Sequence, residues 1–269
     1  MADLDFEIKS PTGEVSAAIF KTAYSHALWL LEEYDSAMSG KPRGVLRWFV
    51  RKLSSDGSLH VAFRSAVKFS RRRKDKDQAD IGPKVTSSLL SGLDDIETRC
   101  VTPPYLSEMG LEKAGELTKL IGRDGATGFR FQADDRVVDV TEQSSQNIRK
   151  LLPIRRTSIG SVEGRLEAIN LHHKPRFIVY HAITRKAVTC HFVAEESMNW
   201  VKELLGRRVV VSGKLHKNVN GDTLRVTLEK LAPVDERNRF ALPSDEELED
   251  PDFANAGSTE EYIRRIRGG

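Results

Sequence analysis

Ser158-Ile159-Gly160-Ser161-Val162-Glu163-Gly164-Arg165-Leu166-Glu167-Ala168-Ile169-Asn170-Leu171 is one long strand by its pattern, interrupted by Gly160 and Gly164. Internal glycines in a strand this long point to strong coiling or a bulge. Working outward, His172-His173-Lys174-Pro175 turns the chain, Phe177–Tyr180 is a second strand and Lys186–Val193 a third. Residues 195–205 space Met198, Val201, Leu204 and Leu205 along one helical face, and Gly206 caps them. Arg208–Leu215 is a fourth strand, with Val209 and Val211 on one side. Asn218-Val219-Asn220-Gly221 turns tightly, and Thr223–Leu231 alternates Leu224, Val226 and Leu228 as a fifth. Phe177, Phe192, Val209, Val211 and Leu228 are the expected core of this half.

The order β-β-β-α-β-β over residues 157–234 resembles an OB-fold, a five-stranded Greek-key barrel with a helix between its third and fourth strands. A small α+β sandwich with the same element order is the competing architecture. Residues 1–153 read as a separate α+β domain. Leu4, Phe6 and Ile8 alternate as a strand, and Val15, Ile19, Ala23, Leu30 and Tyr34 form a helical stripe over 15–38. A hairpin follows, from Leu46, Trp48 and Val50 through Ser54-Ser55-Asp56-Gly57 to Leu59, Val61 and Phe63. Helices are expected over 85–96, 106–121 and 142–152, with two short strands around Asp134-Asp135. The predicted class is therefore α+β, with a barrel after a mixed N-terminal domain.

The chain has 269 residues, 39% hydrophobic and 30% charged, which is enough apolar material for a core. No apolar run approaches the roughly 20 residues that span a bilayer. The acidic start Met1-Ala2-Asp3-Leu4-Asp5 lacks a secretory leader pattern, so the expected compartment is the cytoplasm, without membrane contact. Cys100 and Cys190 are too few for a disulfide framework or a multi-cysteine zinc site.

Catalytic signals are weak. Nucleotide-binding glycine loops, a zinc-protease helix and a nucleophile elbow are all missing from the sequence; Ser161 stands one place too early between Gly160 and Gly164 for an elbow. His172 and His173 lack a carboxylate or cysteine at ligand spacing, although His181 and His191 lie on neighbouring expected strands. Asp94-Asp95 and Asp134-Asp135 are adjacent pairs that do not face one another on a helix. The expectation is a non-enzymatic protein without cofactor or metal.

Recognition signals are stronger. The net charge of the whole chain is +3, but residues 157–233 carry twelve Lys and Arg against seven Asp and Glu, a net of +5. If Phe177 and Val179 point inward with Val188, Cys190 and Phe192, then Arg176, Ile178, Tyr180, Thr189 and His191 point outward. Lys174 and Lys217 flank them in loops. OB-folds commonly bind single strands on this face, so Lys174, Arg176, Tyr180, His191 and Lys217 are the candidate nucleic-acid-binding residues, with Tyr180 the stacking platform. The basic run Arg71-Arg72-Arg73-Lys74-Asp75-Lys76-Asp77 is a second phosphate-contacting candidate.

Residues 235–257 hold eight acids against two arginines and read as an acidic linker. Ser258-Thr259-Glu260-Glu261 is a capping box, and Tyr262-Ile263-Arg264-Arg265-Ile266-Arg267 follows as a short amphipathic helix within residues 258–269. A globular domain, an acidic linker and a short Tyr/Ile/Arg helix resemble the plan of bacterial antitoxins. The ending is similar to the tails of small bacterial proteins paired with PIN-domain ribonucleases. That resemblance implies a regulatory protein that neutralises a partner through its C-terminal segment; on the amphipathic pattern itself, Tyr262, Ile263, Arg264, Arg265, Ile266 and Arg267 are the candidate contacts to a partner or to a second copy of the chain. The leading expectation is nucleic-acid or nucleoprotein binding through the barrel, and this is its alternative.

Overall fold

In the computed structural model, the described residues are 3–41, 43–55, 57–68, 81–170, 175–192 and 200–234. Lys174, the 71–77 run, the start of the 195–205 helix, the acidic stretch and the 258–269 segment lie outside them. The described residues up to Pro233 belong to one compact unit. That unit contains two five-stranded sheets, each with its own apolar core.

The second sheet comprises β6 (Arg156–Asn170), β7 (Arg176–His181), β8 (Ala187–His191), β9 (Arg208–Lys217) and β10 (Thr223–Pro233). Its strand order is β10-β8-β7-β6-β9, and β10 pairs back to β9, which closes the ring as a barrel. All neighbours are antiparallel except β8 and β10, which run parallel. Gly164 is required by close approach: a Cβ there would sit 2.2 Å from the Tyr180 carbonyl oxygen. Two residues on, β6 bulges between Leu166 and Ala168, so a glycine and a bulge both serve this long strand. Phe177, Phe192, Val209 and Val211 fill the barrel core. Leu228 only borders it, because β10 slips register between Leu228 and Lys230 and the alternation that placed Leu228 inward ends there. Trp200–Glu203 form a helical turn between β8 and β9.

The first sheet comprises β1 (Asp3–Lys9), β2 (Leu46–Ser55), β3 (Ser58–Val67), β4 (Gly128–Ala133) and β5 (Arg136–Val140), in the antiparallel order β2-β3-β1-β4-β5. Strict alternation sends Leu4, Phe6, Ile8, Val61, Phe63, Phe129 and Phe131 to one side. Four helices cover that side: α1 (Ala17–Ser39), α2 (Ile81–Asp94), α3 (Glu108–Thr118) and α4 (Glu142–Leu151). Ser16 caps α1 by accepting from the Ile19 amide, and Gly40 ends it at φ 63°. Helix α2 continues into a π-helical turn, Asp95–Arg99, whose Glu97 carboxylate accepts from the amides and hydroxyls of Thr141 and Ser144 at the start of α4.

Three consecutive side chains of α1 are admitted by glycines on three other segments. A Cβ on Gly110 would lie 2.1 Å from Glu33 Oε2, one on Gly92 2.0 Å from Tyr34 Oη, and one on Gly44 2.0 Å from Asp35 Oδ2. Asp35 then accepts from the Val45 and Leu46 amides at 3.0 and 2.8 Å, fixing where β2 begins.

Candidate nucleic-acid interface

The end of α1 and the segment between the π-helical turn and α3 pack on the outer face of β7, β8 and β10. The Tyr105 ring lies 6.4 Å from that of Tyr180, and Ala37, Tyr180 and Ala187 form a small buried cluster. The Tyr105 amide donates to the Arg185 carbonyl at 3.0 Å. Asn218 Nδ2 donates to Thr102 Oγ1 at 2.9 Å, and Asn220 Nδ2 to the Cys100 carbonyl at 2.8 Å. Arg225 forms a two-toothed ion pair with Glu108 in the first turn of α3, at 2.6 and 3.2 Å. Leu224 of β10 joins the core of the sheet-and-helix half.

These contacts decide the standing of the outward residues. Tyr180 does point out of the barrel, but it is only 5% exposed because Tyr105 and Ala37 lie over it. A base could stack there only by displacing Tyr105. Arg176 is half-buried, registers with His191 and stands in a cleft; His191 is half-buried at the end of β8. Lys217 is not in this group: it registers with Arg156, at the opposite end of the fifteen-residue β6 from Asn170 and Arg176. The structure thus brings Arg176, Tyr180 and His191 together and leaves Lys217 elsewhere.

The cleft has a volume of about 330 Å³ between Trp29, Glu32 and Glu33 of α1 and Arg176, Ile178 and Tyr180 of β7. Its charge does not favour a polyanion. Glu33 Oε1 accepts from the Ser107 amide at 3.0 Å, while Oε2 is enclosed without a partner. Burial lifts the Glu33 carboxyl to about 7, against the pull of Ser107. Glu167, the residue at the β6 bulge, is also raised by burial to about 7, with Arg165 and Arg185 pulling the other way.

A second group of basic side chains, Lys214, Arg225 and Lys230, lies on a different face. Outward positions of β6, β9 and β10 hold Thr157, Ile159, Ser161, Val210, Ser212, Lys214, His216, Arg225, Thr227 and Lys230, with Ile159 85% exposed beside Lys214. Lys214 registers with Thr227, His216 with both Thr157 and Arg225, and Ser212 with Lys230. Lys214 and Lys230 are exposed. His216 spans three strands: Nε2 lies 3.1 Å from Thr227 Oγ1 and Nδ1 3.5 Å from Thr157 Oγ1. Burial, followed by the charges of Arg225 and Lys214, holds its pKa below the ordinary imidazole value. Glu163 is paired with Arg208 and Glu108 with Arg225, while Glu229 stands exposed at the β10 bulge. This face was readable from alternation, since Lys214 and His216 lie between the inward positions of β9, and Arg225 and Thr227 beside inward Val226.

Cys190 is buried in the barrel core, which pushes its thiol pKa up, and Cys100 is half-buried with Sγ toward the Asn147 carbonyl. Among the described residues, no three His, Cys, Asp or Glu are grouped to hold a metal ion, and no helix is long and apolar enough to cross a membrane. No family model matches the chain, and no curated protein matches it.

Proposed function

We propose that residues 156–233 form an OB-type barrel, and that the protein is a non-enzymatic binder whose barrel holds nucleic-acid phosphates on the β6–β9–β10 face. Support for the barrel type is its ring order, in which the third strand, β8, pairs parallel with the fifth, β10, and the first, β6, is flanked by the second and fourth. The observation that carries the function is the placement of exposed Lys214 and Lys230 on one outward face with His216 and Thr227, beside an Arg225 already held by Glu108. Exposed ammonium groups with hydroxyl donors beside them suit a phosphate backbone, and they supply affinity without reading sequence. The face over β7 and β8 is already occupied by Tyr105 and Ala37.

Fluorescence anisotropy of full-length protein with single-stranded DNA and RNA, over a range of salt, tests this. Lys214→Ala with Lys230→Ala should weaken binding and shallow the slope of log K against log salt by about 1.4, two phosphates at ~0.7 each. An unchanged slope, or no binding by wild type, removes the reading. The antitoxin-like alternative rests on the sequence of the acidic linker 235–257 and the segment 258–267 that follows it. It requires that deleting 235–269 abolish a protein complex while leaving oligonucleotide binding unaffected.

A further inference from the structure

We propose that the half of the first sheet's open face centred on Phe49 is a second surface for single-stranded nucleic acid. The proposal rests on the nucleic-acid reading of the barrel and adds to it a stacking contact that the β6–β9–β10 face lacks. The register of β2 against β3 places Arg47, Phe49, Lys52 and Ser54 on the side away from the helices, beside Ala66, Arg64, Ala62 and His60. A bulge at Arg51 keeps Lys52 and Ser54 on that side after Phe49.

Phe49 is 43% exposed, and the Arg64 guanidinium stands 5.9 Å from its ring centre. Arg47, Lys52 and Arg64 are all exposed. Lys52, Ser54 and His60 also line a shallow cavity of about 280 Å³, closed on its far side by Asp5. An aromatic ring held in water among cations suits a chain of bases joined by phosphates: the ring offers a face to any base, and the cations neutralise the backbone. The next strand sets a boundary, because Asp3, Asp5 and Glu7 of β1 register with Arg64, Ala62 and His60. These acids confine a polyanion to β2 and β3. An acidic peptide adding to the β2 edge fits less well. Arg51 bulges that edge and its cations blunt strand pairing, while Phe49 projects from the sheet face rather than along the edge.

The experiment uses full-length protein and oligothymidylate or oligouridylate about 20 nucleotides long, with thermal melting to check each fold. Phe49→Ala should weaken binding on the order of 5- to 150-fold with an unchanged salt slope, as loss of one stacked base requires. Phe49→Trp should restore it. Arg47→Ala with Lys52→Ala should shallow the salt slope by about 1.4. A Phe49→Ala protein that binds as wild type overturns the proposal, as does an equal loss toward duplex of the same length. Tight binding of a poly-glutamate peptide with the same Phe49 dependence would reassign the surface to acidic peptides. The two surfaces fail separately. Loss only in the Lys214 and Lys230 variants keeps the barrel reading and removes this one, loss only in the Phe49 variant does the reverse, and no binding by wild type removes both.

Discussion

Glu33→Gln should stabilise the protein above neutral pH and do little in acid. In the folded chain, burial raises this carboxyl from 4.5 to about 7. At ~1.36 kcal/mol per pKa unit, holding it ionised in the fold costs on the order of 3 kcal/mol relative to the unfolded chain. Below the ordinary carboxylate range both states are protonated and the penalty is absent. It grows as pH rises and the unfolded chain releases its proton, and it levels off once the folded group ionises near 7. The glutamine carbonyl can still accept from the Ser107 amide, the role Oε1 has now at 3.0 Å. Its amide group takes the place of the enclosed Oε2 against Gly110 and, lacking a partner there, offsets part of the gain by about 1 kcal/mol. Urea titrations of wild type and variant at pH 4.5, 6 and 8 measure the difference directly, which cancels the contributions of all other acids. The expected result is a variant less stable by about 0.5 kcal/mol at pH 4.5, where the amide cost outweighs the small penalty left, and more stable by about 2 kcal/mol at pH 8, with Glu167 leaving a residual pH dependence in both proteins. Equal stability at pH 8, or the same loss at every pH, would refute the reasoning.

Tyr180→Ala should lower stability by about 3 kcal/mol or more through the cavity left beneath Tyr105, while changing oligonucleotide affinity little in anisotropy. Phe192→Ala should cost roughly 3–5 kcal/mol by denaturant titration, since the ring is 5% exposed and packs, tilted, with its centre 5.9 Å from that of Phe177. Gly92→Ala should cost about 1–3 kcal/mol by the same measurement, because the new methyl would overlap Tyr34 Oη, and adding Tyr34→Phe should return part of it.

The elements of both halves were legible because their signals are local. Phe177 and Val179 alternate inward, Leu4, Phe6 and Ile8 do the same, and Gly40 ends α1 where the apolar stripe stops. The fate of Tyr180 was not legible. Strand parity sends it outward correctly, but whether outward means exposed depends on Ala37 and Tyr105, which are remote in sequence and approach only in the folded chain. Loop analogy groups Lys217 with Arg176, whereas the length of β6 separates them. The fit of Glu33, Tyr34 and Asp35 to Gly110, Gly92 and Gly44 leaves no periodic trace, since each glycine lies on a different segment. Alternation alone places Leu228 in the core, but a register shift ends it there without changing the composition around it, and Leu228 is partly buried.

Covalent lysine footprinting of the full-length protein, with and without a saturating single-stranded oligonucleotide, tests the central claim most directly. Acetylation read by mass spectrometry should fall at Lys214 and Lys230 on the barrel face and stay unchanged at Lys84 on α2 and Lys113 on α3. Unchanged reactivity at Lys214 and Lys230 under saturating ligand would contradict the assignment of that face.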